Sequence, residues 1–378
     1  MAKLPFTTKA DLIQSYPFGS LAIGLSEVLR IHTSSGTTSK PVVSFYSSGD
    51  LKNWSNLVAR NLAAIGAGKE DVFLNTSSQG LFTGGLGYIQ GAQRLGLTIV
   101  PLGPASPEKQ LEYMQDFGVT VFHATPSFAL RLAETARSLG LSEKLKLRLA
   151  MLGAEMWTEA MRSKIEEALN LEAFNNYGLA EVCGPGVAVE CKAKEGLHIW
   201  EDHFIIEVVD PKTGEQVDVE EEGELVVTPL TREAMPLIRY RTGDIAKMLD
   251  VQSCNCGRTH RKISWIKGRV DDMIKVRGVG LYPSAVETIV ASRRECNGHY
   301  LIVVRDSDVL QLQVEVEETI MKDGEQLKRL KKELESELKK ATMLRFNVHL
   351  LPAGSLPRSN GKSRKILDER SWTSKPKT

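Results

Sequence analysis

The chain has 378 residues, more than one hydrophobic core ordinarily holds, so two or three domains are expected. Its 48 Lys and Arg balance 47 Asp and Glu at a formal +1, which gives bulk electrostatics no reason to recruit nucleic acid or a membrane surface as partner. No apolar run approaches the ~20 residues of a membrane span, residues 1–6 offer no apolar signal core, and five cysteines are an odd, uneven set; a soluble cytoplasmic protein with free or metal-held thiols is the expectation.

From about residue 28 to about residue 171, short apolar strands alternate with amphipathic helical stretches. LTIVPLG (97–103), VTVFHATPS (119–127) and LRLAMLGAE (147–155) read as strands, and SFALRLAETARSLG and TEAMRSKIEEALN as helices. Such alternation predicts a largely parallel sheet covered by helices. From residue 199 to 249 the pattern turns strand-rich. FIIEVVDPKTGEQV and GELVVTPLT alternate around Gly and Pro turns, which predicts an antiparallel β subdomain. The charged, glycine-flanked run KGRVDDMIKVRG is the expected hinge, dividing the chain into residues 1–268 and 269–378. Beyond it lie a short helix from Pro283, strands HYLIVV and LQLQVEVE, the helix EQLKRLKKELESELKK, a strand FNVHLL and a polar tail. These make a second α+β domain of roughly 100 residues. Leu327, Leu330, Leu334 and Leu338 form one stripe of its long helix, for packing on the small sheet; two heptads are too few for a coiled coil. The expected class is thus α/β: a large N-terminal domain of mixed and parallel sheets with a small β subdomain, then a small mobile C-terminal α+β domain.

The stretch HTSSGTTSKPVVSFYS, from His32, suits an anion but is not a Walker loop. The second glycine of that motif is missing, and Pro41 after Lys40 opposes immediate helix entry. VVSFYS then reads as a strand, so the loop is expected to join two strands. Hydroxyls and backbone N–H groups of Ser34, Ser35, Gly36, Thr37 and Thr38, with the Lys40 ammonium, could wrap a polyphosphate. Taken alone, such a run is equally a mobile surface turn.

TSSGTTSKP resembles the phosphate loop of the adenylate-forming superfamily, which includes acyl-CoA synthetases, luciferases and peptide-synthetase adenylation domains. Four more motifs follow in the superfamily's order. NNYGLAE (175–181) is similar to its adenine and magnesium motif, and YRTGD (240–244) to its ribose motif. GRVDDMIKVRG (268–278) is similar to its hinge, and LPRSNGKSRKILD (356–368) to its catalytic-lysine motif. Within the superfamily, LPFTTKADLIQSYPFG, GLFTGGLG, GAEMWTEAMR, GPGVAVEC, LHIWEDHF and EAMPLIRYRTGD resemble phenylacetate–CoA ligases. The resemblance runs from Leu4 nearly to the C-terminus. That family usually begins with an additional N-terminal helical segment, and whatever packing or dimer contacts it supplies are expected to be missing here.

The resemblance implies a reaction in two halves on a small carboxylic acid, ATP and coenzyme A. The carboxylate attacks the α-phosphorus, giving acyl-adenylate and pyrophosphate; the thiol then displaces AMP. Catalysis of the first half is mostly positioning and charge neutralisation. Lys362 takes the place of the family's catalytic cation, with Lys365 a weaker candidate. Glu181 would hold Mg²⁺, a hard cation that wants oxygen ligands. Tyr177 would stack on adenine, flanked by Asn176 and Gly178. The backbone of Gly153, Ala154 and Glu155 would line the nucleotide site at a strand's carboxyl end. Asp244 would accept hydrogen bonds from the ribose, with Arg269 assisting at ribose or phosphate. Asp271, which Asp272 could relieve, occupies the hinge position. Two departures stand out: Ser39 replaces a usual Gly, and Ala180 a usual Thr or Ser. Losing that hydroxyl's hydrogen bond costs about 0.5–1.5 kcal/mol, or about 1.5–3 if charged, enough to slow the reaction without abolishing it.

Phe82 resembles the family's aryl-pocket position, unless it is ordinary core. Gly84 and Gly85 would let backbone approach a ring. Gln79 stands where an aromatic is common, so a hydroxylated, heteroaromatic or non-aromatic acid becomes plausible. Cys254-Asn-Cys256 invites a metal reading, although Cys-x-Cys is tighter than the usual zinc spacing. Cys191 and His198 would complete a closed Cys₃His tetrahedron, structural zinc of a kind that some members of the family carry; reduced thiols in a turn are the plain alternative. His203 and His260 are alternative ligands, and Cys183 and Cys296 are expected to be inert. The leading expectation is an AMP-forming aryl-acid–CoA ligase. An adenylating enzyme for another acid or cofactor that stops at adenylation without CoA transfer, and a degenerate, non-catalytic nucleotide-binding homologue, are kept as alternatives. A homodimer is left open.

Overall fold

Ser34 closes the hydroxyl-rich loop from both sides. Its N–H donates to the Val42 carbonyl at 2.9 Å, and its Oγ accepts from the Val42 N–H at 3.0 Å. The strands it joins, β1 (Arg30–Thr33) and β2 (Val43–Tyr46), pair antiparallel, Thr33 opposite Val43. The expected hairpin is therefore present. The computed structural model describes residues 1, 3–34, 40–250, 254–270, 274–276, 279–305, 309–357 and 365–370. Ser35, Gly36, Thr37, Thr38, Ser39, Asp271, Asp272 and Lys362 lie outside the described residues.

Among the described residues two compact units form. The first joins Met1–Ala154 to Ile165–Val270; the second joins Glu155–Lys164 to Asp271–Thr378. In the first, helix α1 (Lys9–Gln14) precedes the hairpin, and α2 (Ser48–Ala64) follows it. A capping box starts α2: the Ser47 hydroxyl accepts from the Asp50 N–H, and the Asp50 carboxylate from the Ser47 N–H. Then come β3 (Val72–Asn75), α3 (Thr83–Leu95), β4 (Thr98–Val100), α4 (Pro107–Asp116), β5 (Val121–Ala124), α5 (Pro126–Ser138), β6 (Leu149–Gly153), α6 (Glu159–Leu169), whose residues up to Lys164 are assigned to the second unit, and β7 (Glu172–Leu179). Ser106 and Thr125 cap α4 and α5, each with Pro at the first turn. The sheet continues through β8 (Gly184–Glu190), β9 (Leu197–Ile199) and, after an excursion, β13 (Lys262–Ile263).

Its order is β13-β9-β8-β7-β6-β5-β3-β4. Strands β4 to β7 run parallel, as the strand–helix alternation predicts, while β8, β9 and β13 add an antiparallel edge. The strand-rich stretch forms a separate four-stranded antiparallel sheet in the order β10-β11-β12-β14. It comprises β10 (Phe204–Val209), β11 (Glu222–Pro229), β12 (Tyr240–Lys247) and β14 (Gly268–Arg269). Trp54, Phe45, Tyr46, Phe73 and Phe174 anchor a core common to these sheets and helices.

The second unit holds a ribbon of β15 (Ile274–Val276) and β16 (Val279–Leu281), then α7 (Pro283–Ser292), β17 (Cys296–Val304), β18 (Leu310–Val316), α8 (Glu318–Met321), α9 (Gly324–Thr342) and β19 (Phe346–Pro352). Leu330, Leu334 and Leu338 of the expected stripe are buried, and Leu327 packs partly buried beside them. Each fully buried leucine contributes about 1.5–3 kcal/mol of transfer free energy. The tail departs from expectation: β20 (Ile366–Asp368) joins the sheet parallel to β17, giving the order β19-β18-β17-β20.

Candidate active site

Three motif residues far apart in sequence meet in the first unit. Strand β7 carries Asn176, Tyr177 and Gly178. The Tyr177 hydroxyl donates to Asp244 Oδ2 at 2.7 Å, and Arg269 donates to Asp244 Oδ1 at 2.6 Å. Pairing of β12 with β14 sets Asp244 opposite Arg269. Burial, then the Asp244 charge, lifts the Tyr177 phenol well above its ordinary range, so it stays a neutral donor.

Gly153 ends β6 opposite Asn176. A side chain there would come within 2.6 Å of the Asn176 carbonyl oxygen, so glycine is required by close approach. Ala154 follows at φ 69°, a left-handed conformation that costs a non-glycine residue about 1 kcal/mol or more. This strained turn lies at the carboxyl end of a parallel strand, where such sheets gather ligands. Glu155 belongs to the second unit.

Glu181 sits in the turn between β7 and β8 and is only 9% exposed. Among the described residues its carboxylate has no hydrogen bond or ion pair. A buried carboxylate without a partner is costly, and a hard cation relieves that cost. Lys40 sits with its ammonium 5.3 Å over the Tyr16 ring. Lys365, in the second unit, lies 4.5 Å over the Tyr300 ring and 4.0 Å from Glu287 Oε1. It is therefore engaged within its own domain.

The loop after β3 corrects part of the acyl-pocket expectation. Phe82 is the N-cap residue of α3 and is 47% exposed, so it is not core. Gly84 has open space where a side chain would stand. Gly85 does not: a Cβ there would meet the Ser78 carbonyl oxygen at 1.9 Å, so its missing side chain admits this chain's own backbone rather than a ligand ring. The Gln79 amide donates to the Pro101 carbonyl at 2.8 Å. Two neighbours in this region went unnoticed in the sequence, Tyr88 on α3 and His123 on β5. Their rings stack with centroids 3.7 Å apart, and both are buried. The histidine inside the apolar run VFHA was the available signal.

Cys191, His198, Cys254 and Cys256 converge, all four ligand atoms lying within 4.8 Å of one another. Cys191 Sγ is 3.5 Å from Cys254 Sγ, and Cys256 Sγ is 3.4 Å from His198 Nε2. A tetrahedral zinc with Zn–S near ~2.3 Å and Zn–N near ~2.0 Å needs separations of this size. His198 Nδ1 donates to the His260 carbonyl at 3.1 Å, which leaves Nε2 bare for a metal. The Cys256 thiol is shifted towards ionisation. Burial opposes it, yet hydrogen bonding from the Arg258 backbone and side chain draws it down to about 7, whereas burial lifts Cys191 to about 12. His260 contributes only its carbonyl to this arrangement, and His203 instead bonds Thr231 Oγ1 at 2.7 Å. Burial lifts Cys183 and Cys296 to about 12 each, fitting inert thiols.

No helix among the described residues is long and apolar enough to cross a membrane. Residues 22–229 match the family of AMP-binding enzymes, and residues 278–370 match the AMP-binding enzyme C-terminal domain. A phenylacetate-coenzyme A ligase of Thermus thermophilus is 45% identical over 389 residues, covering 98% of this chain and 87% of that protein. Its counterpart in Pseudomonas putida is 42% identical over 376 residues, covering 98% and 85%. Among solved structures, a 2-hydroxyisobutyryl-CoA ligase in the postadenylation state with 2-HIB-AMP superimposes with a TM-score of 0.91 at 26% identity, covering 97% of this chain and 80% of that one. With these matches spanning both units, the chain belongs to the phenylacetate–coenzyme A ligase family of AMP-binding enzymes.

Proposed function

We propose that this chain is an ATP-dependent acid–CoA ligase that works through an acyl-adenylate and releases AMP and pyrophosphate. In the first half, a substrate carboxylate oxygen bonds to the α-phosphorus while the bond to the pyrophosphate oxygen breaks. In the second, the coenzyme A sulfur, having lost its proton, bonds to the acyl carbon and AMP leaves. The observation that carries this reading is Glu181, a nine-tenths-buried carboxylate without a partner among the described residues, in the turn that follows Tyr177.

Each candidate residue has a task within this scheme. Tyr177 supplies a ring for adenine, and its hydroxyl holds Asp244 in place. Asp244 accepts from the ribose hydroxyls, and Arg269 orients its carboxylate. Ser34 pins the base of the hairpin that is assigned to the phosphates. Glu181 holds magnesium, which supplies charge neutralisation at the phosphates. Lys362 is the cation that draws carboxylate and α-phosphate together, and Asp271 is the pivot between the half-reactions. Cys191, His198, Cys254 and Cys256 hold structural zinc, a closed donor set with no position for substrate. The partners are small: a carboxylic acid, ATP and coenzyme A.

A panel of carboxylates assayed for pyrophosphate, with and without coenzyme A, tests the reading. Acid-dependent pyrophosphate and CoA-dependent AMP release are expected. Nucleotide binding without pyrophosphate from any acid would leave only a non-catalytic homologue, and AMP release indifferent to coenzyme A would remove the thiol half.

A further inference from the structure

Next to the nucleotide-binding strands is a buried polar group that the scheme above does not use. Asn75 ends β3, and the β3–β5 register sets it beside His123. Both are buried, at 0% and 3% exposure. The Asn75 amide donates to the Ser77 carbonyl at 2.9 Å, which leaves its Oδ1 as the acceptor facing His123 Nδ1 at 3.0 Å. Nδ1 must therefore carry the proton, and a neutral imidazole of that tautomer has a bare acceptor at Nε2. Ser77 Oγ lies 3.4 Å from the same Nδ1 and does not serve Nε2. The stacked Tyr88 cannot serve it either, because its hydroxyl is committed to Asn176 Oδ1. Among the described residues nothing donates to Nε2. Burial pushes His123 down to about 3, so the ring remains neutral and the acceptor persists at any working pH.

The position points to a ligand. Asn75 and His123 lie towards the carboxyl ends of neighbouring parallel strands, and the loop running from Ser77 to the exposed Phe82 leaves from the same end. An acid that covers Nε2 with only C–H bonds leaves this acceptor unpaired. One presenting O–H satisfies it, and sites built this way discriminate strongly against the analogue that lacks the hydroxyl.

We infer that His123 determines substrate specificity, and that the acid activated here carries a hydroxyl group that donates to its Nε2. This inference rests on the acid–CoA ligase reading. The test measures kcat/KM for pyrophosphate release by the full chain on two matched pairs: 4-hydroxyphenylacetate with phenylacetate, and 2-hydroxyisobutyrate with isobutyrate. In at least one pair the hydroxylated acid is expected to be preferred by about 10–100-fold. His123→Phe keeps a ring against Tyr88 but removes the acceptor, and should bring that ratio to about one. His123→Gln, with an amide oxygen near the Nε2 position, should retain much of the preference. Deoxy acids used as well as their hydroxylated partners by the unaltered chain would overturn the inference while leaving the ligase reading intact, as would a preference that survives His123→Phe. Pyrophosphate from no acid at all would overturn both.

Discussion

Replacing Asp244 by Asn separates a ribose-binding role from a merely structural one. Both carboxylate oxygens are engaged, Oδ1 by Arg269 at 2.6 Å and Oδ2 by Tyr177 at 2.7 Å. Asn keeps one acceptor and turns an NH₂ towards a donor, so one charge-assisted bond is lost, worth about 1.5–3 kcal/mol. The Arg269 side chain is 33% exposed, so water screens part of its pairing and the lower end applies to stability. If Asp244 also receives the ribose hydroxyls, the same loss appears in nucleotide affinity, about 10–100-fold. The assay is pyrophosphate release at saturating acid with ATP varied, alongside the melting temperature. Asp244→Asn should raise KM for ATP by that factor and lower Tm by a few degrees. Tyr177→Phe removes a donor but no acceptor, and the double variant should be less than additive, since both act on one carboxylate. A lowered Tm with KM for ATP within about twofold of the unaltered chain would make Asp244 structural and refute its assignment to ribose.

Glu181→Gln removes a buried charge that has no partner among the described residues, so Tm should hold or rise while pyrophosphate release falls at least ~100-fold at saturating magnesium; a drop in Tm with activity retained contradicts the assignment. Lys362→Ala should nearly abolish adenylation yet largely spare thioester formation from pre-made acyl-adenylate, and equal loss of both would count against the lysine. Elemental analysis should find about one zinc per chain, and chelation or Cys256→Ser should lower Tm; protein that takes up no zinc and melts alike with chelator would leave plain thiols. Burial holds the folded His123 near 3, below the ordinary 6.5 of an unfolded histidine. Between those values the unfolded chain binds the extra proton, so this contribution is complete above about pH 6.5 and declines as pH falls towards about 3, by about 1.4 kcal/mol per pH unit. Urea midpoints from pH 7 to 4 should therefore fall less steeply for His123→Gln than for the unaltered chain, and equal slopes would mean that His123 titrates normally.

The β1–β2 hairpin was legible because its signals are local. Lys40-Pro41 denies a helix, and Val43–Tyr46 is a short β-rich run. The parallel sheet was legible for a similar reason, since β5 and β6 are buried runs with the capped helix α5 between them. Strand β20 was not: its three residues sit in a polar tail, and what makes them a strand is pairing with Ile302, Val303 and Val304, more than 60 residues away. The same limit hid the packing around the loop after β3. Gly84 and Gly85 look alike in sequence, but only the fold brings the Ser78 carbonyl against one of them. His123 reads as a polar interruption of a strand until the register sets it beside Asn75 and packing lays Tyr88 on its ring.

The cysteine–histidine cluster sits where the eight-stranded sheet ends. Cys191 follows β8, His198 lies within β9, and Cys254 and Cys256 precede β13, which is only two residues long. Here Lys262 and Ile263 stand opposite His198 and Leu197, and the Ile199 N–H donates to the Arg261 carbonyl at 2.9 Å, so this short segment is what covers the backbone N–H and C=O groups of β9. A metal held by the cluster would tie this edge to β8 and β9 and so act as a clasp against self-association. Oxidising or stripping it would free β13 and open a template for intermolecular pairing, so the damaged protein should be lost to aggregates while most of its core is still folded.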